Sequence, residues 1–289
     1  MKNKLINLLI GFIILVAVYI ALYPTISNYY WQSKQTATIE SYNDAIKHTT
    51  QEEIETIRNN AIKYNEELYK RFKTSVFTYQ GSNKTDEDYE SQLNLSKTMA
   101  YIEIPKINLY LPIVHGTKAS DLDSMVGHLY LTSLPIGGEN THSIISAHTG
   151  LAQSKLFTDI DKLKVGDKFY IYVLDKKLCY QVVETNVCMP AEDFHYMQIE
   201  DGKDLISLYT CTPYGINDHR LIVKGEHLSS EDITLEIPKD NMEVENQNKT
   251  AITLFYVLLL SPFVCYIIYT VIIMKGKKKP KKEVTDETT

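Results

Sequence analysis

Between two predominantly apolar runs, the periodicity of this chain changes from helical to alternating. The first run, Leu5 to Tyr23, follows Lys2 and Lys4, and the second, Ala251 to Met274, leads into a lysine cluster from Lys275 to Lys282. A helix needs ~20 apolar residues to cross the hydrocarbon core, so each run is long enough, the second with a kink expected at Pro262. The first exceeds the ~7 to 15 residues of a signal-peptide core and no Ala-x-Ala site follows it, which favours a retained anchor over a cleaved leader. Lysines flank the outer ends of both runs. The positive-inside rule therefore predicts a protein of the cell membrane with two transmembrane helices, both termini cytoplasmic and residues 24–250 outside.

Inside that frame, Ile39, Ile46, Ile54, Ile57, Ala61, Ile62, Leu68 and Phe72 recur at helical intervals among charged residues, with no Pro or Gly from 36 to 72. One helix is predicted there, either a stalk or a helix packed on the domain that follows; its single apolar stripe favours packing. Residues 73–98 are polar and turn-rich, with Gly81 to Asp88 suited to a loop. From Ala100 to Leu228 short β-like runs alternate with Gly, Pro, Asn and Asp, interrupted by one helical stretch around Ser154 to Leu163. That pattern predicts an all-β barrel. The expected layout is an N-terminal anchor (1–24), a helical segment (25–72), a loop (73–98), the β-domain (99–228), an acidic tether (229–250), a second span (251–274) and a basic cytoplasmic tail (275–289).

Charge narrows the function. Of the 36 acidic residues, all but Glu283, Asp286 and Glu287 fall between the two spans. An acidic ectodomain argues against nucleic-acid partners. With 12 glycines and no Walker or dinucleotide pattern, no phosphate-cradling loop is present and nucleotide chemistry is not expected. Asp121 and Asp123, or Asp159 and Asp161, are too sparse for a calcium loop, so no metal and no cofactor is expected.

The four cysteines, Cys179, Cys188, Cys211 and Cys265, form neither a disulfide framework nor a zinc spacing. Cys265 belongs to the second span. Cys179 and Cys188 are read as unpaired strand residues, with pairing across a hairpin as the alternative. Cys211 stands apart. Asp204 to Tyr209 alternates as a strand, Pro213-Tyr214-Gly215 makes a turn, and His219 to Gly225 reads as a returning strand, so Arg220 is carried back towards Cys211. His148 follows the apolar run Ser143 to Ala147 and precedes Thr149-Gly150, again at a strand end. A cysteine nucleophile needs a base or cation to favour thiolate and a donor for the oxyanion formed at a carbonyl. Cys211, His148 and Arg220 are the candidate catalytic residues. Against them stand the ordinary roles of each type, a small buried thiol and an arginine that snorkels to solvent. His115, His128, His142, His195, His219 and His227 remain as alternative bases, His115 as a structural hydrogen-bonding residue. Thr210 and Thr212 are candidate substrate-binding donors.

Ser207-Leu208-Tyr209-Thr210-Cys211, His219-Arg220 and Ala147-His148 together resemble the sortases, whose nucleophile lies in a Thr-Leu-x-Thr-Cys pattern; Ser207 stands where the first Thr is usual. Tyr101 to Ile107, Leu111 to Thr117 and Cys211 to Asn217 are similar to class C, the pilin-polymerising sortases, and the resemblance covers roughly 99–228. It implies a closed eight-stranded sortase-type β-barrel with short helices, and a thiol transpeptidase. Its acyl donor would be a Leu-Pro-x-Thr-Gly-like signal of a pilin or surface protein, and its acceptor a lysine amine of another pilin subunit. It also implies that 73–98 is a lid. The Asp-Pro-aromatic motif of such lids is absent, and Phe77 and Tyr79 are the aromatic candidates for its place. Three alternatives stay open: a sortase handing the acyl group to a cell-wall precursor, a thiol hydrolase, and a non-catalytic membrane-anchored domain that binds surface proteins.

Overall fold

A computed structural model describes residues 2–74, 85–151, 154–235 and 266–271. Contacts divide the chain into one compact unit, Ser27–Asp240, and a second made of Met1–Ile26 and Asn241–Thr289. In the second unit, the described residues before Ser27 are helical, part of α1 (Lys2–His48), and Tyr266–Val271 are helical as well. Among the described residues one helix is long and apolar enough to cross a membrane, with an 18-residue window of mean hydropathy 2.4. Most of the predicted second span, 251–274, lies outside the described residues, as do Phe77 and Tyr79.

The helical segment of the compact unit is two helices, not the single one expected. α1 ends at His48 and α2 runs Gln51–Thr74. The break comes from a capping box: the Thr50 backbone N–H donates to the Glu53 carboxylate at 2.9 Å, and the Glu53 N–H returns to the Thr50 hydroxyl at 3.3 Å. Thr-x-x-Glu starts a helix as surely as Pro or Gly ends one. Both helices pack on the β-domain through Ile39, Tyr42, Ile46, Ile54, Ala61, Tyr64 and Leu68, all buried, which settles the choice between stalk and packed helix. Buried polar groups fix the fit. Tyr42 donates to the Met99 carbonyl and accepts from the Leu174 N–H. Asn65 makes a two-way bond with the Leu134 backbone, and Arg58 is paired with Asp175.

The β-domain is a closed barrel. Its strands are β1 (Ala100–Ile104), β2 (Leu109–His115), β3 (Val126–His128), β4 (Thr141–Ser146), β5 (Lys168–Val173), β6 (Lys176–Cys188), β7 (Asp204–Thr212) and β8 (His219–His227). They run in the order β5-β1-β2-β3-β4-β7-β8-β6, and β6 pairs back with β5 to close the ring; β9 (Ile233–Thr234) adds an outer edge to β6. β2–β3 and β4–β7 are parallel, the remaining pairs antiparallel. Before β1, the described part of 73–98 carries a short helix, α3 (Glu87–Ser91), capped by Asp86. Its Tyr89 is fully buried and donates to His128 Nδ1 at 2.8 Å. The helical stretch expected at Ser154 to Leu163 is instead turns with one 3-10 turn, Ile160–Lys162. Its apolar residues Leu156, Phe157, Ile160 and Leu163 are buried, as loop side chains plugging one side of the core.

Alternation along the strands fills the interior: Ile145, Leu208 and Val223 stand opposite one another on β4, β7 and β8, all essentially inaccessible. Each such side chain contributes about 1.5–3 kcal/mol by leaving water. The Phe169 ring crosses the interior over Gly225, where a Cβ would lie 2.5 Å from two of its atoms, and stacks on Tyr180 at 5.6 Å. Gly225→Ala is therefore expected to destabilise the fold by about 1–3 kcal/mol, read as a lowered midpoint of denaturant unfolding.

At the end of β8, His227 bridges two carboxylates, with Nδ1 2.8 Å from Asp204 and Nε2 2.9 Å from Asp232. Burial opposes its charge, but the bonds and charges of Asp204 and Asp232 outweigh that and lift its pKa to about 8. A histidine raised above its unfolded value stabilises fully below about pH 6.5, and that contribution is lost as pH rises through its folded pKa. Stability should fall between those limits in wild type. Denaturant midpoints measured across this range should lose that step in His227→Gln.

Candidate active site

The parallel register of β4 on β7 places Ser146 opposite Tyr209, and the Ala147 N–H continues it by donating to the Tyr209 carbonyl at 3.2 Å. That register, extended past the end of β4 at Ser146, leads from Ala147 to His148 in the direction of Cys211. On the other side of β7, Cys211 is the direct antiparallel partner of Arg220 on β8. Cys211 and Arg220 are thus cross-strand partners on β7 and β8, and His148 follows two residues after the end of β4; each is half-buried. By the two-residue alternation of strands, Cys211 shares the outer face of β7 with Tyr209 and Ser207, while Ile206, Leu208 and Thr210 face inward. Among the described residues no hydrogen bond joins the three candidate side chains to one another.

The surroundings of each residue fix its place. Thr210, expected as a substrate donor, is buried; its hydroxyl donates to the Ala147 carbonyl at 2.7 Å and lies 3.1 Å from Thr149 Oγ1. It holds the Ala147 backbone and the Thr149 side chain, the residues on either side of His148, and has no face turned to a substrate. The His148 carbonyl accepts from the Phe157 N–H at 3.2 Å, and the Gly150 N–H donates to Thr158 at 3.1 Å, so the His148 loop is held from both directions. Thr212, half-buried at the end of β7, pairs in register with His219. Arg220 donates through Nε to the Tyr209 hydroxyl at 2.9 Å and through Nη1 to the carbonyls of Asn217 and His219.

Environment separates the thiols. Cys179 and Cys188 lie nine residues apart on one continuous strand, β6, roughly 30 Å by the strand rise. Pairing between them across a hairpin is ruled out. Both are free and buried, whereas Cys211 is partly exposed. Burial first, then the nearby Glu231 carboxylate, pushes Cys179 up to about 11; burial with Asp193 and Glu192 raises Cys188. Such thiols stay protonated and unreactive near neutral pH.

The histidines divide in the same way. Burial pushes His128 and His142 down to about 4. His142 is sealed between Ser207, at 2.8 Å, and the Gln198 carbonyl, at 2.7 Å. His115 is lowered by burial and bonds to the Gln92 carbonyl at 2.7 Å, a structural tie. His219 is engaged with Asp218, and His227 lies at the far end of β8. His195 lies in the turn Asp193–Tyr196, and His148 follows the end of β4, the parallel neighbour of the strand that carries Cys211.

Two residues of this surface were not singled out from sequence, Tyr209 and Asp193. Tyr209 donates to Asp193 Oδ2 at 2.7 Å while accepting from Arg220. Its outward position two residues before Cys211 was available from strand alternation. Asp193 sits in the β6–β7 connection, where nothing local announces it.

Residues 102–228 match the Sortase domain family. Among solved structures, sortase C1 of Streptococcus agalactiae is 44% identical with a TM-score of 0.60, covering 67% of this chain and 98% of that one. Clostridium perfringens sortase C, solved with the C-terminal cell wall sorting motif, is 45% identical with a TM-score of 0.58, over 67% and 98%. Streptococcus pneumoniae sortase C, whose structure was described with regard to catalysis and pilin substrate specificity, is 36% identical with a TM-score of 0.59, over 66% and 95%. The chain belongs to the sortase family, enzymes of transpeptidation, and its structural neighbours are class C sortases.

If exposure and burial sort the thiols as described, brief treatment of the folded protein with iodoacetamide should label Cys211 well ahead of Cys179 and Cys188. Peptide mapping by mass spectrometry reads this; equal labelling of all three would contradict the burial argument.

Proposed function

We propose that this protein is a membrane-anchored cysteine transpeptidase that cleaves a Leu-Pro-x-Thr-Gly-like sorting signal and joins it to a lysine amine of a pilin subunit. The observation that carries the reading is the direct cross-strand pairing of the partly exposed Cys211 with Arg220, with His148 just past the end of the strand that pairs with β7 on its other side. The Cys211 sulfur attacks the threonine carbonyl of the signal, forming a C–S bond, and Arg220 holds the developing oxyanion with donors that stay charged at any working pH. As the Thr–Gly C–N bond breaks, His148 gives its proton to the departing amine. A thioacyl enzyme remains. The incoming amine attacks that thioester, His148 takes its proton, and an amide forms as Cys211 leaves. Thr212, next to Cys211, is retained as a substrate contact, and Phe77 and Tyr79 as aromatic residues of a lid over 73–98.

Support for the class C assignment comes from the identity to sortase C enzymes, one bound to a sorting motif and one described by its pilin specificity. The apolar helix near the N-terminus supports an anchor at 1–24. With the apolar sequence of 251–274 as a second span, the β-domain (99–228) would lie outside the cell, the tether (229–250) would lead back to the bilayer and the tail (275–289) would be cytoplasmic. Anchoring enzyme and membrane-tethered substrate to one surface raises their effective concentration. One observation favours a second reading, transfer to a cell-wall precursor: 73–98 lacks the Asp-Pro-aromatic motif of pilin-type lids.

Incubating the full chain in detergent micelles with a Leu-Pro-x-Thr-Gly peptide should give an intact-mass increase equal to the peptide less its Gly-containing leaving group. Cys211→Ala should abolish the adduct. Absence of both adduct and cleavage in wild type would sink the transpeptidase reading for this signal, and the amine that resolves the adduct distinguishes pilin lysine from cell-wall precursor.

A further inference from the structure

Arg220 can stabilise an oxyanion only if its guanidinium plane is fixed before the charge develops, because a donor that must reorient loses much of its electrostatic effect. Two of its nitrogens are already assigned: Nη1 to the backbone carbonyls of Asn217 and His219, and Nε to the Tyr209 hydroxyl at 2.9 Å. Nη2 has no hydrogen-bond partner among the described residues. The Nε contact is the informative one, since a hydroxyl that accepts must send its own proton elsewhere, and here it goes to Asp193 Oδ2 at 2.7 Å. Burial, and then the bond to Asp193, raise the pKa of the Tyr209 phenol, so it keeps that proton.

Asp193 opens a short 3-10 turn, Asp193–Tyr196, in the connection from β6 to β7. The bonds that hold this connection to the barrel include Asp193 on Tyr209, the Gln198 carbonyl on His142 at 2.7 Å, Glu200 on Lys224 at 2.8 Å, and Lys203 on Glu226. Of these, only the first reaches a candidate catalytic group.

We infer that Tyr209 and Asp193 are positioning residues: the chain Asp193–Tyr209–Arg220 sets the guanidinium and couples the β6–β7 connection to the oxyanion donor. This rests on Arg220 acting as that donor in the proposed reaction. Removing the hydroxyl of Tyr209 leaves the Arg220 Nε–H without its acceptor and Asp193 without its donor, while the ring and its packing remain.

The test is a double-mutant cycle on formation of the thioacyl adduct, using the full chain in detergent and a Leu-Pro-x-Thr-Gly peptide. Tyr209→Phe should lower kcat about tenfold, the loss expected for one hydrogen bond to a charged group, with KM changed by less than about twofold. In an Arg220→Ala background the same substitution should cost nothing further, since its effect acts through the missing guanidinium. Asp193→Ala approaches the same chain from the loop. It should lower kcat in the same direction, and combined with Tyr209→Phe should add little. An undiminished Tyr209→Phe loss in the Arg220→Ala background, or an unchanged kcat in both Tyr209→Phe and Asp193→Ala, would overturn the positioning role while leaving Arg220 as donor. If Arg220→Ala itself forms adduct at the wild-type rate, the oxyanion reading fails and the inference falls with it.

Discussion

The parallel pairing of β4 with β7 is the constraint on which the site depends. Parallel neighbours cannot be joined by a tight turn, so the chain leaves β4, forms β5 and β6, and returns to lay β7 against it. The return pairs Ser146 with Tyr209, 63 positions later in the chain, two residues short of His148 and Cys211, and the hairpin that follows sets Arg220 opposite Cys211. Register is unforgiving here: a slip of one residue on β7 would turn Cys211 inward and Thr210 outward. Several features oppose such a slip. Ile145, Leu208 and Val223 would lose their buried places together, and the Thr210 hydroxyl would leave Ala147 and Thr149. Packing of the core and placement of the nucleophile are thus one requirement.

The same geometry decides which groups of a given type are available for chemistry. Three thiols among the described residues share a barrel, yet burial and neighbouring carboxylates keep Cys179 and Cys188 protonated, while Cys211 lies at a strand end with a guanidinium alongside. The buried histidines are likewise used for structure: His128 joins α3 through Tyr89 to the barrel, and His142 joins the β6–β7 connection to Ser207. Each is neutral because charging it would cost desolvation with no carboxylate partner. His227 shows the converse, a ring kept charged by flanking Asp204 and Asp232.

Much of this was legible in the sequence, and for physical reasons. Alternation from Asp204 to Tyr209, the Pro-Tyr-Gly turn and the return at His219 fixed the Cys211–Arg220 hairpin, because register across a short connection is a local property. The barrel and the packing of the helical stripe followed from periodicity. The break at Thr49-Thr50 differs from the expected single helix because a Thr-x-x-Glu box restarts a helix where neither Pro nor Gly marks an end. The stretch from Ser154 to Leu163 was misread as helix for a related reason: apolar spacing alone cannot separate a short helix from a loop that plugs a core. Thr210 was assigned to substrate from its place beside Cys211, yet neighbours along a strand point to opposite faces, so that proximity in sequence argued for the interior.

What escaped sequence reading altogether were the contacts that depend on where a long connection lands. Asp193 is one carboxylate among many until the β6–β7 connection folds over the outer face of β7, and Tyr209 looks like a filler residue of the strand. Together they make the environment of Arg220. A strand end is the natural place for such control, since the barrel wall supplies rigid backbone while the connection beyond it is free to carry specificity. In the reaction proposed above, the β-barrel would hold the nucleophile, and the orientation of the oxyanion donor would rest on one hydroxyl shared between a loop carboxylate and an arginine.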